Sequence, residues 1–165
     1  MRWFCGAARG FTYRVKDNSN KEVLTFERRF QCCSGCCWCA DSDSCAWELE
    51  VRAGTERLGS VRQMKSLWKP YMSIILNDGD TFGEFRGPCC VCSCCGCCGD
   101  VEFPLFASDS FIIGKVSKQW TGTAREFFTD SDNFSCTFPL DMTVNGKACI
   151  LAAAFLIDMM FFEQN

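Results

Sequence analysis

Met72-Ser-Ile-Ile-Leu76, Asn77-Asp-Gly-Asp80 and Phe82-Gly-Glu-Phe85 read in order as strand, tight turn and strand. Met72, Ile74 and Leu76 alternate with a period of two, which puts them on one face of an extended chain. The Asp-Gly pair between two such runs is a hairpin signal, because glycine adopts positive φ without steric cost. Outward from this hairpin the same pattern recurs. Toward the N-terminus, Phe11, Tyr13 and Val15 alternate, Asp17 to Asn20 turns the chain, and Val23 to Phe26 returns. Trp47, Leu49 and Val51 alternate up to Ala53-Gly54-Thr55, and Leu58 to Gln63 follows. Toward the C-terminus come Val101, Phe103 and Leu105, then Phe111, Ile113 and, one step out of phase, Val116, and last Phe134, Cys136 and Phe138. Short strands at this spacing predict an antiparallel sandwich or barrel.

The C-terminus breaks the pattern. Ala148 to Phe162 is apolar at every position except Asp158 and rich in Ala, Leu and Met, so a helix is expected over 147–163. Ile150, Leu151, Phe155, Leu156, Ile157 and Phe161 distribute around its whole circumference, and such a helix must be covered on every side. These fifteen residues give roughly 22 Å, short of a ~30 Å hydrocarbon core. A helix enclosed by the sheet is therefore preferred over a membrane span, and both readings stand.

The chain has 165 residues and a net charge of −3, which suits one domain and disfavours a nucleic-acid binder held by charge. It has no histidine, so the commonest general base and nitrogen metal ligand are missing. Acidic pairs such as Glu126 with Asp130, or Asp41 with Asp43, lack a nearby nucleophile and oxyanion donors, and no enzyme is expected.

Sixteen cysteines are present. Thirteen of them fall in two clusters, from Cys32 to Cys45 and from Cys89 to Cys98. Met1 to Gly10 lacks the apolar core of a signal peptide, so a reducing, cytoplasm-facing setting is expected. Three readings fit the clusters. Exposed cytoplasmic cysteines beside apolar residues such as Trp38 and Val91 are S-acylation acceptors, and two or more acyl chains anchor durably. Spacings such as Cys33–Cys36 and Cys92–Cys95 also suit zinc or an iron–sulfur cluster, although dense cysteines generate them automatically. Unmodified loops are the third reading. Acylation is preferred because free exposed thiols are a liability.

Asp130-Ser-Asp-Asn-Phe-Ser-Cys-Thr-Phe-Pro-Leu-Asp141 places acids at positions 1, 3 and 12 of a twelve-residue segment, as an EF-hand calcium loop does. Cys136, at position 7, offers its backbone carbonyl. Phe134 and Ser135 depart from the loop's usual oxygen ligand and glycine, and the second half alternates like a strand. The residues alone fit a weak calcium loop and a polar turn entering a strand equally well. Gly114 to Thr123, with Lys115, Lys118 and Trp120, reads by itself as a strand ending in a turn.

Four blocks resemble phospholipid scramblases: Cys32 to Cys39, Gly87-Pro-Cys-Cys-Val-Cys-Ser-Cys-Cys95, Gly114 to Asn133, and Phe138-Pro-Leu-Asp141 leading into Phe155-Leu-Ile-Asp-Met-Met-Phe-Phe-Glu163. The resemblance covers nearly the whole chain. It implies a tubby-like fold, a twelve-stranded antiparallel barrel around the hydrophobic C-terminal helix. It further implies calcium at Asp130, Asp132, Cys136 and Asp141, and palmitate within Cys32, Cys33, Cys36, Cys37 and Cys39. Lys115, Lys118 and Trp120 fall in what looks like the family's nuclear-import segment, which implies an import receptor as partner. The implied activity is calcium-dependent, ATP-independent, bidirectional movement of phospholipids between leaflets, at the cytoplasmic face of the plasma membrane, with a nuclear pool when unacylated. The alternative is an acylated lipid- and calcium-sensing module. Homo-oligomerisation is expected if the helix emerges into the bilayer. The proline-rich tail and first barrel strands of the family are missing, so a shortened domain is expected, and Gly96-Cys97-Cys98 looks like an insertion.

Overall fold

A computed structural model of the chain describes residues 10–31, 38–67, 69–89, 100–119 and 133–162. Nine strands follow one another: β1 (Phe11–Lys16), β2 (Glu22–Arg28), β3 (Glu48–Ala53), β4 (Glu56–Gln63), β5 (Tyr71–Leu76), β6 (Thr81–Arg86), β7 (Val101–Phe106), β8 (Ile112–Gln119) and β9 (Asn133–Thr137). Among the described residues one helix, α1 (Val144–Phe161), follows them. The strands form a single antiparallel sheet in sequence order, a pure meander.

The turns explain the meander. Asp17–Lys21, Leu76–Asp80 and Ala107–Phe111 share one hydrogen-bond pattern. In each, the first N–H donates to the carbonyl four residues on, and the fourth N–H donates back to the first carbonyl. The fourth residue has positive φ in every case: Asn20 at 61°, Gly79 at 85° and Ser110 at 66°. This is the three-residue hairpin connection with a left-handed residue. Asp17 adds a side-chain brace, its Oδ1 accepting from the N–H groups of Ser19 and Lys21 at 2.8 and 2.9 Å. The Asp-Gly signal thus marks a longer loop than a two-residue turn.

Register irregularities lie near the same end of these hairpins, at Val15/Lys16, Val51/Arg52, Ile74/Ile75 and Leu105/Phe106. The last explains the phase slip seen at Val116. Leu105 opposes Gly114 and Phe106 opposes Ile112, so Ile113 is the extra residue. Bulges increase local twist and bend, and four of them on one end coil the sheet around its concave face. The β6–β7 ladder is short, ending at Phe85↔Leu105 just before Pro104, which has no N–H to extend it.

Helix α1 lies on that concave face. Ile150, Leu156 and Ile157 are fully buried against Phe26, Leu49, Val61, Met72, Ile74, Phe85, Phe103 and Val116. The helix starts earlier than its apolar run because Thr143 caps it, the Thr143 hydroxyl accepting from the Gly146 N–H at 3.2 Å. Its 18 residues span ~27 Å, long and apolar enough by length and composition to cross a membrane, yet half of that length is buried in the fold. Helix and sheet come close at Gly59, where a β-carbon would stand 2.6 Å from the Ile75 carbonyl oxygen and 2.9 Å from Cys149 Sγ.

The expected antiparallel sheet packed on a C-terminal helix is present, and among the described residues the sheet is open rather than closed into a barrel. Among the described residues no ladder joins β1 to β9, so each has one strand neighbour. The nine described strands cover only part of the circumference that a twelve-stranded barrel requires. Phe155 of the helix is half-buried, meeting Tyr13 of β1 at 5.8 Å and Phe26 of β2 at 5.4 Å between ring centroids. A further consequence is polarity of the ends. The four tight turns lie at one end with the start of α1, while the connections 29–47, 64–70, 87–100 and 120–132 leave from the other, where α1 finishes.

Gly59→Ala should lower stability by about 1–3 kcal/mol, because the backbone of β5 cannot yield to the added methyl. The midpoint of urea unfolding checks this, with Gly54→Ala, where no atom lies within 4 Å but φ is +61°, as a smaller turn-strain control.

Candidate functional site

The acidic segment is threaded on β9. Positions 4 to 8 of its twelve residues, Asn133 to Thr137, are extended and paired with Gln119 to Lys115 of β8. Asp130 and Asp132 lie outside the described residues. Asp141 is exposed in the turn that precedes α1, beyond the far end of β9. The strand alone spans ~13 Å, so the described backbone does not have the curled form of a helix–loop–helix calcium loop. Cys136 stands opposite Val116 and is half-buried, its thiol pushed up by burial.

Lys115 and Lys118 sit on β8 and point to opposite faces. Lys115 pairs with Glu102 of β7, while Lys118 Nζ lies 4.0 Å from the ring centre of Phe162 at the end of α1. Trp120 lies outside the described residues. The Lys115–Lys118 backbone is engaged on both sides, by β7 and by β9.

Cys32, Cys33, Cys36 and Cys37 also lie outside the described residues. Cys39 is half-buried in the turn that follows them, beside the exposed Trp38, whose Nε1–H donates to the Leu67 carbonyl at 2.9 Å. Among the described residues no three His, Cys, Asp or Glu side chains converge to hold a metal. Of the helix residues singled out, Ile150, Leu156 and Ile157 are core, Leu151 is at the surface, and Phe161 stacks on Phe103 at 6.3 Å.

Two features escape the sequence reading. On the convex face Glu50 of β3 gathers Arg52 at 2.9 Å, Arg57 at 3.4 Å and Arg29 at 4.0 Å, and it borders a polar groove of about 510 Å³. On the concave face the strand phase of Leu24 and Phe26 continues to Arg28, which is only 3% exposed. The Arg28 guanidinium carbon lies 3.5 Å from the ring centre of Trp47, and burial lowers its pKa to about 10. An arginine in the apolar phase of a strand is the signal that would have found it.

The family described as Scramblase matches residues 1–164, so the chain belongs to the scramblase family. It is 44% identical over 163 residues to human "Phospholipid scramblase 1", covering 98% of this chain and 49% of that protein. Bovine "Phospholipid scramblase 2" is 42% identical over 163 residues, covering 98% and 53%, and human "Phospholipid scramblase 2" is 39% identical over 170, covering 100% and 54%. The chain thus spans about half the length of these relatives. No solved structure matches.

The buried thiol of Cys149 sets an alkaline limit on this fold. Burial pushes its pKa up from 9.0 to about 11, so above pH 9 the unfolded chain releases a proton that the folded chain retains. Stability should fall as pH rises, by about 1.4 kcal/mol by pH 10. Arg28 acts with the opposite sign, its lowered pKa restoring stability only above about pH 10. Urea midpoints between pH 7.5 and 10 should decline in the wild type and stay flatter in Cys149→Ala.

Proposed function

We propose that this chain carries out phospholipid scrambling: calcium-dependent, ATP-independent, bidirectional movement of lipids between the leaflets of the plasma membrane. The observation that carries the reading is the continuous family match over residues 1–164, with relatives named as phospholipid scramblases aligned to nearly all of the chain. Palmitate on Cys32, Cys33, Cys36, Cys37 and Cys39 would hold the domain at the cytoplasmic face, since several acyl chains anchor where one does not. Calcium would neutralise the acidic segment from Asp130 to Asp141. Because β9 separates Asp141 from the acids that precede it, Asp130 and Asp132 are the principal ligands in this reading and Asp141 contributes less.

A second reading is favoured by one observation, the burial of half of α1 in the sheet. A helix kept there offers no path for a headgroup across a bilayer, and the domain would then be an acylated lipid- and calcium-sensing module. Exposure of Lys115, Lys118 and Trp120 to an import receptor would belong to that role.

The test is reconstitution of the purified chain in vesicles carrying a fluorescent lipid, with a membrane-impermeant quencher outside. Calcium should abolish the protected inner-leaflet signal. Asp130→Ala should remove that response, and Asp141→Ala should weaken it less. A protected signal that persists with calcium, in folded protein, transfers the assignment to the sensing module. A glycosylation acceptor placed after Phe162 then reports whether the C-terminus crosses the membrane.

A further inference from the structure

Arg28 is an anomaly in physical terms. A guanidinium removed from water carries a desolvation cost that folded proteins offset with a carboxylate or a set of acceptors. Among the described residues no carboxylate pairs with Arg28, and its Nε and Nη2 atoms are buried without a hydrogen-bond acceptor. The neighbouring acids Glu27 and Glu48 belong to the opposite strand phase, on the convex face with Glu50. What Arg28 does meet is aromatic: Trp47 at 3.5 Å and Phe11 at 5.9 Å from the ring centres. Trp47 repeats the anomaly. It is 4% exposed, and its Nε1–H is likewise buried without an acceptor.

Three donor groups without acceptors therefore belong to two side chains held against each other. Their positions are fixed by the fold. Arg28 is the last residue of β2, opposite Phe11. Trp47 is tied at its backbone to Gln63 of β4, its N–H donating to Gln63 Oε1 at 3.3 Å and its carbonyl accepting from the Gln63 N–H at 2.7 Å. The pair stands at the end of the concave face from which the long connections leave. A stacked arginine presents the edge of its fork while the ring covers its face, and that edge suits an oxyanion bidentately.

We propose that Arg28 and Trp47 form a receptor for a phosphate-type oxyanion, with the guanidinium Nε–H and Nη2–H and the indole Nε1–H as its donors. Three donor groups match the several oxygens of a phosphate better than the two of a carboxylate. The phosphate has two sources, a phospholipid headgroup or a soluble phosphate. Only the lipid source rests on the scrambling reading.

Thermal unfolding of the purified, unacylated full chain tests this. Sodium phosphate is compared with sodium chloride and sodium acetate at matched ionic strength, and separately, vesicles of phosphatidylcholine containing phosphatidic acid are compared with vesicles containing diacylglycerol. At phosphate tenfold above its dissociation constant the wild-type midpoint should rise by about 4 °C over chloride. Arg28→Met should abolish that rise while unfolding in chloride at an equal or higher temperature, because an uncompensated buried charge is gone. Arg28→Lys keeps the charge without the fork and should weaken phosphate at least tenfold. Trp47→Phe keeps the ring, removes one donor, and should give an intermediate loss, which serves if Arg28→Met fails to fold. A phosphate-specific rise without an effect of phosphatidic acid assigns the site to soluble phosphate, whatever the scrambling assay gives. A wild type that does not distinguish phosphate from chloride or acetate, or a rise retained in both Arg28→Met and Trp47→Phe, overturns the proposal and leaves Arg28 as a stacking residue of the core.

Discussion

Everything in this fold depends on covering one helix. Between Ala148 and Phe162 only Asp158 is polar, so α1 has no face suited to water, and the hydrophobic effect drives the sheet to wrap around it. A flat meander could touch such a helix along one line only. Four bulges coil the sheet, the meander supplies neighbouring strands in order, and Gly59 lets the helix backbone approach β4 with Cys149 at the contact. The same requirement explains the aromatic residues at the helix end. Phe161 and Phe162 lie against Phe103 and Phe134, extending the apolar cover to the last turn.

Much of this was legible in the sequence because period-two alternation is a local property. Among the described strands, six stand on alternating residues and three on the runs that return from a turn, and the displaced phase of Val116 is a real bulge at Ile113. The apolar run at the C-terminus is a helix, begun earlier by the Thr143 cap. How far the described strands wrap the helix was not legible, because it depends on how many strands share a circumference and on their summed twist. Arg28 was hidden for a different reason. Its neighbours Arg29 and Glu27 are surface residues, and a run of charges reads as solvated unless strand phase is followed through to the last position.

The candidate site was legible only in part. Acids at positions 1, 3 and 12 suggest one ion, but side-chain spacing along a chain becomes spacing in space only when the backbone conformation is known. An extended β9 sets Asp141 beyond the far end of the strand from Asn133, whereas a curled loop would have returned it. In the same way, the resemblance groups Lys115 and Lys118 in one import-like segment, yet the strand sends them to opposite faces, one to Glu102 and the other to the ring of Phe162.

The two ends of the sheet obey different tolerances. At the tight-turn end, one added residue would shift a strand's register and turn its apolar side chains away from α1. At the other end, each doubling of a connection's length adds only about 0.6 kcal/mol of closure entropy. Gly96-Cys97-Cys98 falls in the connection between β6 and β7, at the permissive end. The fold can thus lengthen or recompose its cysteine-rich segments over evolutionary time without renegotiating its core, so chemistry added there is free to diverge among relatives faster than the scaffold that presents it.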